Sequence, residues 1–233
     1  GESIFSTAET EPKTPEWKGF IEIGKTRTYL EIHGPGFKVE KDEQDKGKII
    51  FDDGVIPVFV CIGGADVYRY QPLDKELVDK LHCPIIGFDP PGQTSPQTGE
   101  KGRSSTLKDT DGKPLKHTMK NYAEFQRDLI TTLVGEGRPV NIVAMSMGGV
   151  PAMMLAGKHP ELVKNLVLVG TFLSLKDNPA IAKIKEIGNL KNNLGEAINI
   201  FIESLRMTKA DAQAAKKFFN LQMPTNQLSA LYE

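Results

Sequence analysis

The sequence predicts an α/β protein: a mostly parallel sheet with helices on both faces, six strands long, with an all-helical segment after the sixth strand. Three observations predict it. Residues 56–62, 84–88, 140–144 and 166–169 are short unbroken apolar runs, the pattern of parallel strands covered on both sides. Residues 72–81, 119–134 and 148–158, which lie between those runs, carry apolar side chains at helical spacing. Strands and helices alternating at this rhythm build a doubly wound sheet with right-handed crossovers.

The elements follow in chain order. Residues 1–16 are rich in Glu, Thr, Ser and Pro without any period, so they read as an arm lying on the surface or on a partner. Residues 19–23 and 26–32 alternate apolar with polar side chains around Gly24-Lys25, as a hairpin with one buried face does. Residues 34–54 hold Pro-Gly, a charged run and Asp52-Asp53-Gly54, interrupted only by the apolar stretch 48–51, and are expected to be a loop insertion with room for one short extra strand. Residues 95–116 are Ser, Thr, Gly, Lys and Pro with no apolar period, which predicts a second insertion on the surface. In the helix at 119–134 the inward stripe is Met119, Tyr122, Phe125, Leu129 and Leu133. Beyond Gly170, segments 181–187, 194–205 and 210–221 are amphipathic, and no further β-branched run appears. The expected organisation is an arm over 1–16, a core over 17–174 and a helical cap segment over 175–233.

Charge and composition exclude several classes. With 29 Lys and Arg against 30 Asp and Glu, and no long basic block, nothing favours a nucleic-acid partner. No apolar run approaches the roughly 20 residues needed to cross a bilayer, and the Gly1-Glu2-Ser3 start lacks a charged-then-apolar signal pattern. The two cysteines, Cys61 and Cys83, fall near opposite ends of neighbouring strands, so they are expected to be buried free thiols, which favours a reducing compartment. No ligand spacing suggests a metal or an organic cofactor.

The chemistry concentrates in residues 140–160, VNIVAMSMGGVPAMMLAGKHP. A buried strand runs into Ala144-Met145-Ser146-Met147-Gly148-Gly149 and turns directly into a helix. A serine presented on so tight a turn needs almost no side chain two residues before and two after it, which Ala144 and Gly148 provide. Ser146 would then be strained and exposed, at a helix N-terminus that favours developing negative charge.

With these residues the sequence resembles the α/β-hydrolase family, with an esterase- or lipase-type elbow, over roughly residues 17–174. The resemblance implies that Ser146 stands at the nucleophile position and that the Met147 amide is one oxyanion-hole donor. The second donor is implied in Gly63-Gly64-Ala65-Asp66, with Gly64 first and Ala65 next, and Gly63, Ala65 and Met145 lining the substrate pocket. Ala144 replaces the family's usual first glycine, Ile62 stands where many relatives have His, and Thr94 replaces a glycine in the turn that follows Phe88-Asp89-Pro90-Pro91-Gly92. His33-Gly34-Pro35-Gly36 also looks like an oxyanion loop, but placing it there leaves one strand too many before the elbow, so a strand end and turn are expected.

A serine hydroxyl needs a base to remove its proton and a third group to orient that base. The family order is Ser, then acid, then His, and all of His33, His82, His117 and His159 fit that order poorly. His117, on an insertion able to fold over the site, is the base candidate, and Asp177 is the acid candidate, with helix capping as its plainer role. Asp89 is expected to be structural. Two functions are therefore expected: a serine hydrolase acting on a small, fairly apolar ester with its remaining machinery beyond Glu233, or a catalytically inactive relative serving as accessory subunit, scaffold or receptor for other protein subunits.

Overall fold

The computed structural model describes residues 14–41, 47–62, 67–92 and 101–171, together with Glu186. The strands are β1 (Glu16–Ile23), β2 (Thr26–His33), β3 (Phe37–Lys41), β4 (Gly47–Phe51), β5 (Val58–Cys61), β6 (Ile85–Phe88), β7 (Val140–Met145) and β8 (Val163–Val169). The helices are α1 (Pro72–Leu81), α2 (Met119–Val134) and α3 (Gly149–Lys158). Six strands form one sheet in the order β1-β2-β6-β5-β7-β8, in which β6, β5, β7 and β8 are parallel and β1 and β2 join antiparallel.

Strand periodicity divides the core in two. Phe59, Cys61, Ile86, Phe88, Ile142 and Ala144 point to one face, under Phe125, Leu129 and Ile130 of α2 and Ala152 and Leu155 of α3. Val58, Val60, Ile62, Ile85 and Val143 point to the other, under Val78 and Leu77 of α1 and Tyr68. Each fully buried side chain of this size stabilises by about 1.5–3 kcal/mol, so the continuous apolar runs are what covering both faces requires. Gly87 interrupts one such run because the Tyr68 ring lies against it: a Cβ there would sit 1.9 Å from Tyr68 Cζ.

The helix ends have local causes. Pro72 opens α1, where its missing N–H matters least, and Asp74 accepts from the Gln71 N–H at 2.7 Å. His82 closes α1 in the left-handed conformation, with φ 49°. Thr118 Oγ1 caps α2 by accepting from the Asn121 N–H at 3.1 Å.

The structure departs from the sequence reading in four places. Residues 34–54 contain an antiparallel hairpin, β3 with β4, outside the main sheet. The alternation at 37–41 is masked by charge because four of its five side chains are exposed. Residues 101–116 are not a free surface insertion: Ser104 and Leu107 are buried, and the segment runs along β2. There Ser104 Oγ accepts from the Tyr29 N–H at 2.9 Å, Ser105 Oγ accepts from the Arg27 N–H at 3.0 Å, and the Ser105 N–H donates to the Arg27 carbonyl at 2.8 Å. Hydroxyls and main chain do here what an apolar period does elsewhere. Cys83 is only half-buried, while Cys61 is buried, and both are free thiols. Finally, β1 begins at Glu16, a residue earlier than the expected core. The cap segment lies outside the described residues apart from Glu186. No helix among the described residues is long and apolar enough to cross a membrane.

Candidate active site

Strand β7 ends at Met145, a single 3-10 turn covers Ser146–Gly148, and α3 begins at Gly149. Ser146 takes φ 47°. For a residue with a Cβ this conformation costs about 1–2 kcal/mol and persists only where the surroundings over-determine it. The surroundings here are the ends of two strands flanking β7. A Cβ on Gly148 would lie 2.2 Å from the Ile62 carbonyl oxygen, just past the end of β5, and one on Gly149 would lie 2.2 Å from Thr171 Oγ1, just past β8. The helix can enter the sheet at this angle only because both positions lack side chains. Ala144 is fully buried with ordinary strand backbone, so its methyl group is accommodated. The Ser146 side chain is exposed.

Beside the bend lies an apolar pocket lined by Ile62, Phe88, Met119, Phe125, Met147 and Pro151, with Cys61, Tyr122 and Gln126 also on its wall. Met147 faces this pocket, whereas Met145 packs on the opposite side of the sheet with the cluster beneath α1. Gly63, Gly64, Ala65, Asp66, Thr94 and Asp177 lie outside the described residues.

His117 is tied to the turn after β6. Its Nδ1 is 2.7 Å from the Tyr122 hydroxyl, which donates to the Pro91 carbonyl at 3.1 Å, and its ring covers Gly92. Burial holds the His117 pKa below the ordinary histidine value, so the ring is neutral near pH 7. No hydrogen bond joins it to Ser146 among the described residues.

Of the other histidines, His33 ends β2, bonds Glu31 Oε2 at 2.9 Å and stacks on Tyr70. His82 and His159 terminate α1 and α3. The His33-Gly34-Pro35-Gly36 stretch is thus a strand end and turn, as expected, with φ 103° and 101° at its two glycines.

Asp89 has the structural place expected of it. Fully buried, its carboxylate accepts from the Tyr68 N–H at 2.7 Å, from the Arg103 N–H at 2.9 Å, and from Arg103 Nε and Nη2 at 2.8 and 2.7 Å. Arg103 also donates to the Tyr68 carbonyl at 2.7 Å and lies 3.5 Å from Glu31. This fork fastens the 101–116 segment to the turn below the pocket. Sequence reasoning missed Arg103 and Gln126. Arg103 sits in a stretch without period, and Gln126 is a polar residue one helical turn from Tyr122, inside a stripe read only for its apolar members.

A serine on a strained bend between a buried strand and a helix, above a mostly parallel sheet with helices on both faces, defines a fold of the α/β-hydrolase class. The family pattern described as the alpha/beta hydrolase fold matches residues 56–225, more than two thirds of the chain, and this chain belongs to that family. Among solved structures it is similar to MGS-M2, an α/β-hydrolase enzyme from a Medee basin deep-sea metagenome library, with 17% identity over 91% of this chain and 72% of that one, TM-score 0.56. It is also similar to a carboxylesterase from the thaumarchaeon Nitrososphaera gargenis, with 16% identity over 91% and 70%, TM-score 0.56. A bacterial membrane phospholipase A shares 15% identity over 88% of this chain and 60% of its own length, TM-score 0.53. At such identities these likenesses show the fold. No curated protein sequence matches the chain.

Proposed function

We propose that this chain carries the nucleophile of a serine acyl hydrolase of the esterase or lipase type, acting on a small, fairly apolar ester. Ser146 Oγ attacks the ester carbonyl, its proton passing to a base; the tetrahedral adduct then breaks its ester C–O bond, the base returning the proton to the departing alcohol, and water hydrolyses the acyl-serine that remains. The Met147 amide and, in this reading, the Gly64 amide hold the oxyanion. The observation that carries the reading is the exposed Ser146 at φ 47°, on a bend with no room for a side chain at 148 or 149, next to an apolar pocket. Phe88, Met119, Phe125 and Met147 on that wall favour an apolar acyl group over a charged one. The base and acid candidates within the chain are His117, turned toward Tyr122, and Asp177. The free thiols Cys61 and Cys83 fit a reducing compartment.

A fluorophosphonate probe tests the nucleophile. Labelling of the natural full-length protein that maps to Ser146 and disappears in Ser146→Ala is the expected result, and a folded full-length protein that stays unlabelled sinks the proposal. One observation favours a second reading, a catalytically inactive accessory subunit. The β8 edge exposes Val167 and Val169 at 52% and 47%, an apolar strip that a partner protein would cover. An unlabelled chain that forms a stable complex through β8 would establish that reading.

A further inference from the structure

One polar side chain on the pocket wall has work that its neighbours do not supply. Gln126 is 7% exposed and projects from α2 toward the sheet. Its Nε2 donates only to Cys61 Sγ, at 3.7 Å, and its Oε1 is fully buried with no hydrogen-bond partner among the described residues. Cys61 is a neutral thiol whose pKa burial pushes up to about 12, so it offers a weak contact and no charge. The amide stands at the inner limit of the pocket: it borders Met119, Tyr122 and Met147 on one side and the packed Phe59, Leu129, Ile130 and Ile142 on the other. Leaving a buried amide oxygen unbonded is destabilising, and a leucine of similar volume would fill the same space without that penalty. A site built to bond a ligand hydroxyl or N–H, by contrast, gains discrimination from such a group.

We propose that Gln126 is a specificity-determining residue: its Oε1 accepts a hydrogen bond from a hydroxyl or amide N–H at the far end of the acyl group, so the pocket selects short acyl chains that are apolar along their length and end in a donor. This rests on the serine-hydrolase reading for its consequence in turnover, while binding of the acyl group does not depend on that reading. Oε1 is the acceptor that remains free, so a terminal donor is bonded and an isosteric methyl group leaves it unpaired.

The test uses p-nitrophenyl esters of straight acyl chains of graded length, each compared with its partner in which the terminal methyl is replaced by hydroxyl. At the length that spans from Ser146 to Gln126, the hydroxyl ester should have a kcat/KM about 10-fold above its methyl partner, and Gln126→Leu should remove or reverse that ratio. The corresponding amides, titrated while the Gln126 side-chain NH2 signals are followed by NMR, read the same selectivity without turnover. Shifts caused by the hydroxy amide and absent with the alkyl amide support the proposal. Melting temperature distinguishes a structural glutamine: Gln126→Leu should raise it by about 2–4 °C. Equal ratios in both proteins, amides that leave the Gln126 signals unmoved, or a Gln126→Leu variant that melts lower with selectivity intact would each overturn the inference. If no ester turns over and Ser146 resists the fluorophosphonate, the hydrolase reading fails, and the amide titration still decides the role of Gln126.

Discussion

On the β2–β6 side of the sheet, Glu31, His33, Asp89 and Arg103 hold one another through side-chain hydrogen bonds and charge. Across the sheet, where β5, β7 and β8 end, the bend at Ser146 is held because Gly148 and Gly149 have no side chains at all. The first region is specified by groups that are present and the second by groups that are missing. A change in the first should leave an orphaned charge, and a change in the second should create a collision.

The sharpest way to break this comparison is Arg103→Ala, which strands the fully buried Asp89 carboxylate. Removing one member of a buried pair costs about 3–5 kcal/mol, so chemical denaturation should show a loss of that size, with Asp89→Asn/Arg103→Ala losing less than the single change. Gly148→Ala drives a methyl group into the Ile62 carbonyl, at an overpacking cost of about 1–3 kcal/mol. Its distinguishing result is loss of fluorophosphonate labelling at a temperature where the variant is still folded, which Arg103→Ala should not show. Ser146→Gly relieves the left-handed strain and should stabilise by about 1 kcal/mol. Ser146→Ala keeps the Cβ and should not, so equal stability of the two would remove the strain from the account.

The smallest effect is in pH dependence, where two buried carboxylates of the polar region have opposite signs. Burial raises the Glu31 pKa, but hydrogen bonds from His33 and Tyr29 and the charge of Lys18 outweigh it, and the net shift is downward. A lowered folded-state value contributes stability above the unfolded-state pKa that is lost as pH falls through the folded one, so Glu31→Gln should flatten acid unfolding. For Asp74 burial dominates over the Gln71 N–H bond and the shift is upward. Its contribution is present below the ordinary aspartate value of 3.8 and is lost as pH rises through the raised one, so Asp74→Asn should gain stability toward neutral pH and match the native chain in acid. Melting curves from pH 3 to 7 check both.

The same division explains what was legible in the sequence. Helices α1 and α2 fall at the predicted residues because apolar spacing, Pro72 and Thr118 are local signals. The bend was readable because small residues around a serine, between an apolar run and an amphipathic one, form a compact string. The Asp89–Arg103 fork joins residues 14 positions apart in a stretch without period, and nothing in either residue marks its partner. In the hairpin outside the main sheet, β4 falls on the apolar stretch 48–51, whereas β3 was hidden by the charge on its exposed side chains. Gln126 was passed over because a polar residue in a buried stripe gains meaning only once the void beside it is known. Gly63 to Asp66, the cap segment and Asp177 lie outside the described residues.

The hydroxyls of Ser104 and Ser105 meet the amides of Tyr29 and Arg27 across 75 and 78 positions of chain, and Thr26 Oγ1 waits for the Lys108 N–H across 82. During synthesis at about 5–20 residues per second, the amino-terminal hairpin leaves the ribosome roughly 4–15 s before the segment that seals it. For that interval its outer rim is an open template for any passing strand, which makes this margin of the nascent polypeptide the place where a holding chaperone has most to protect.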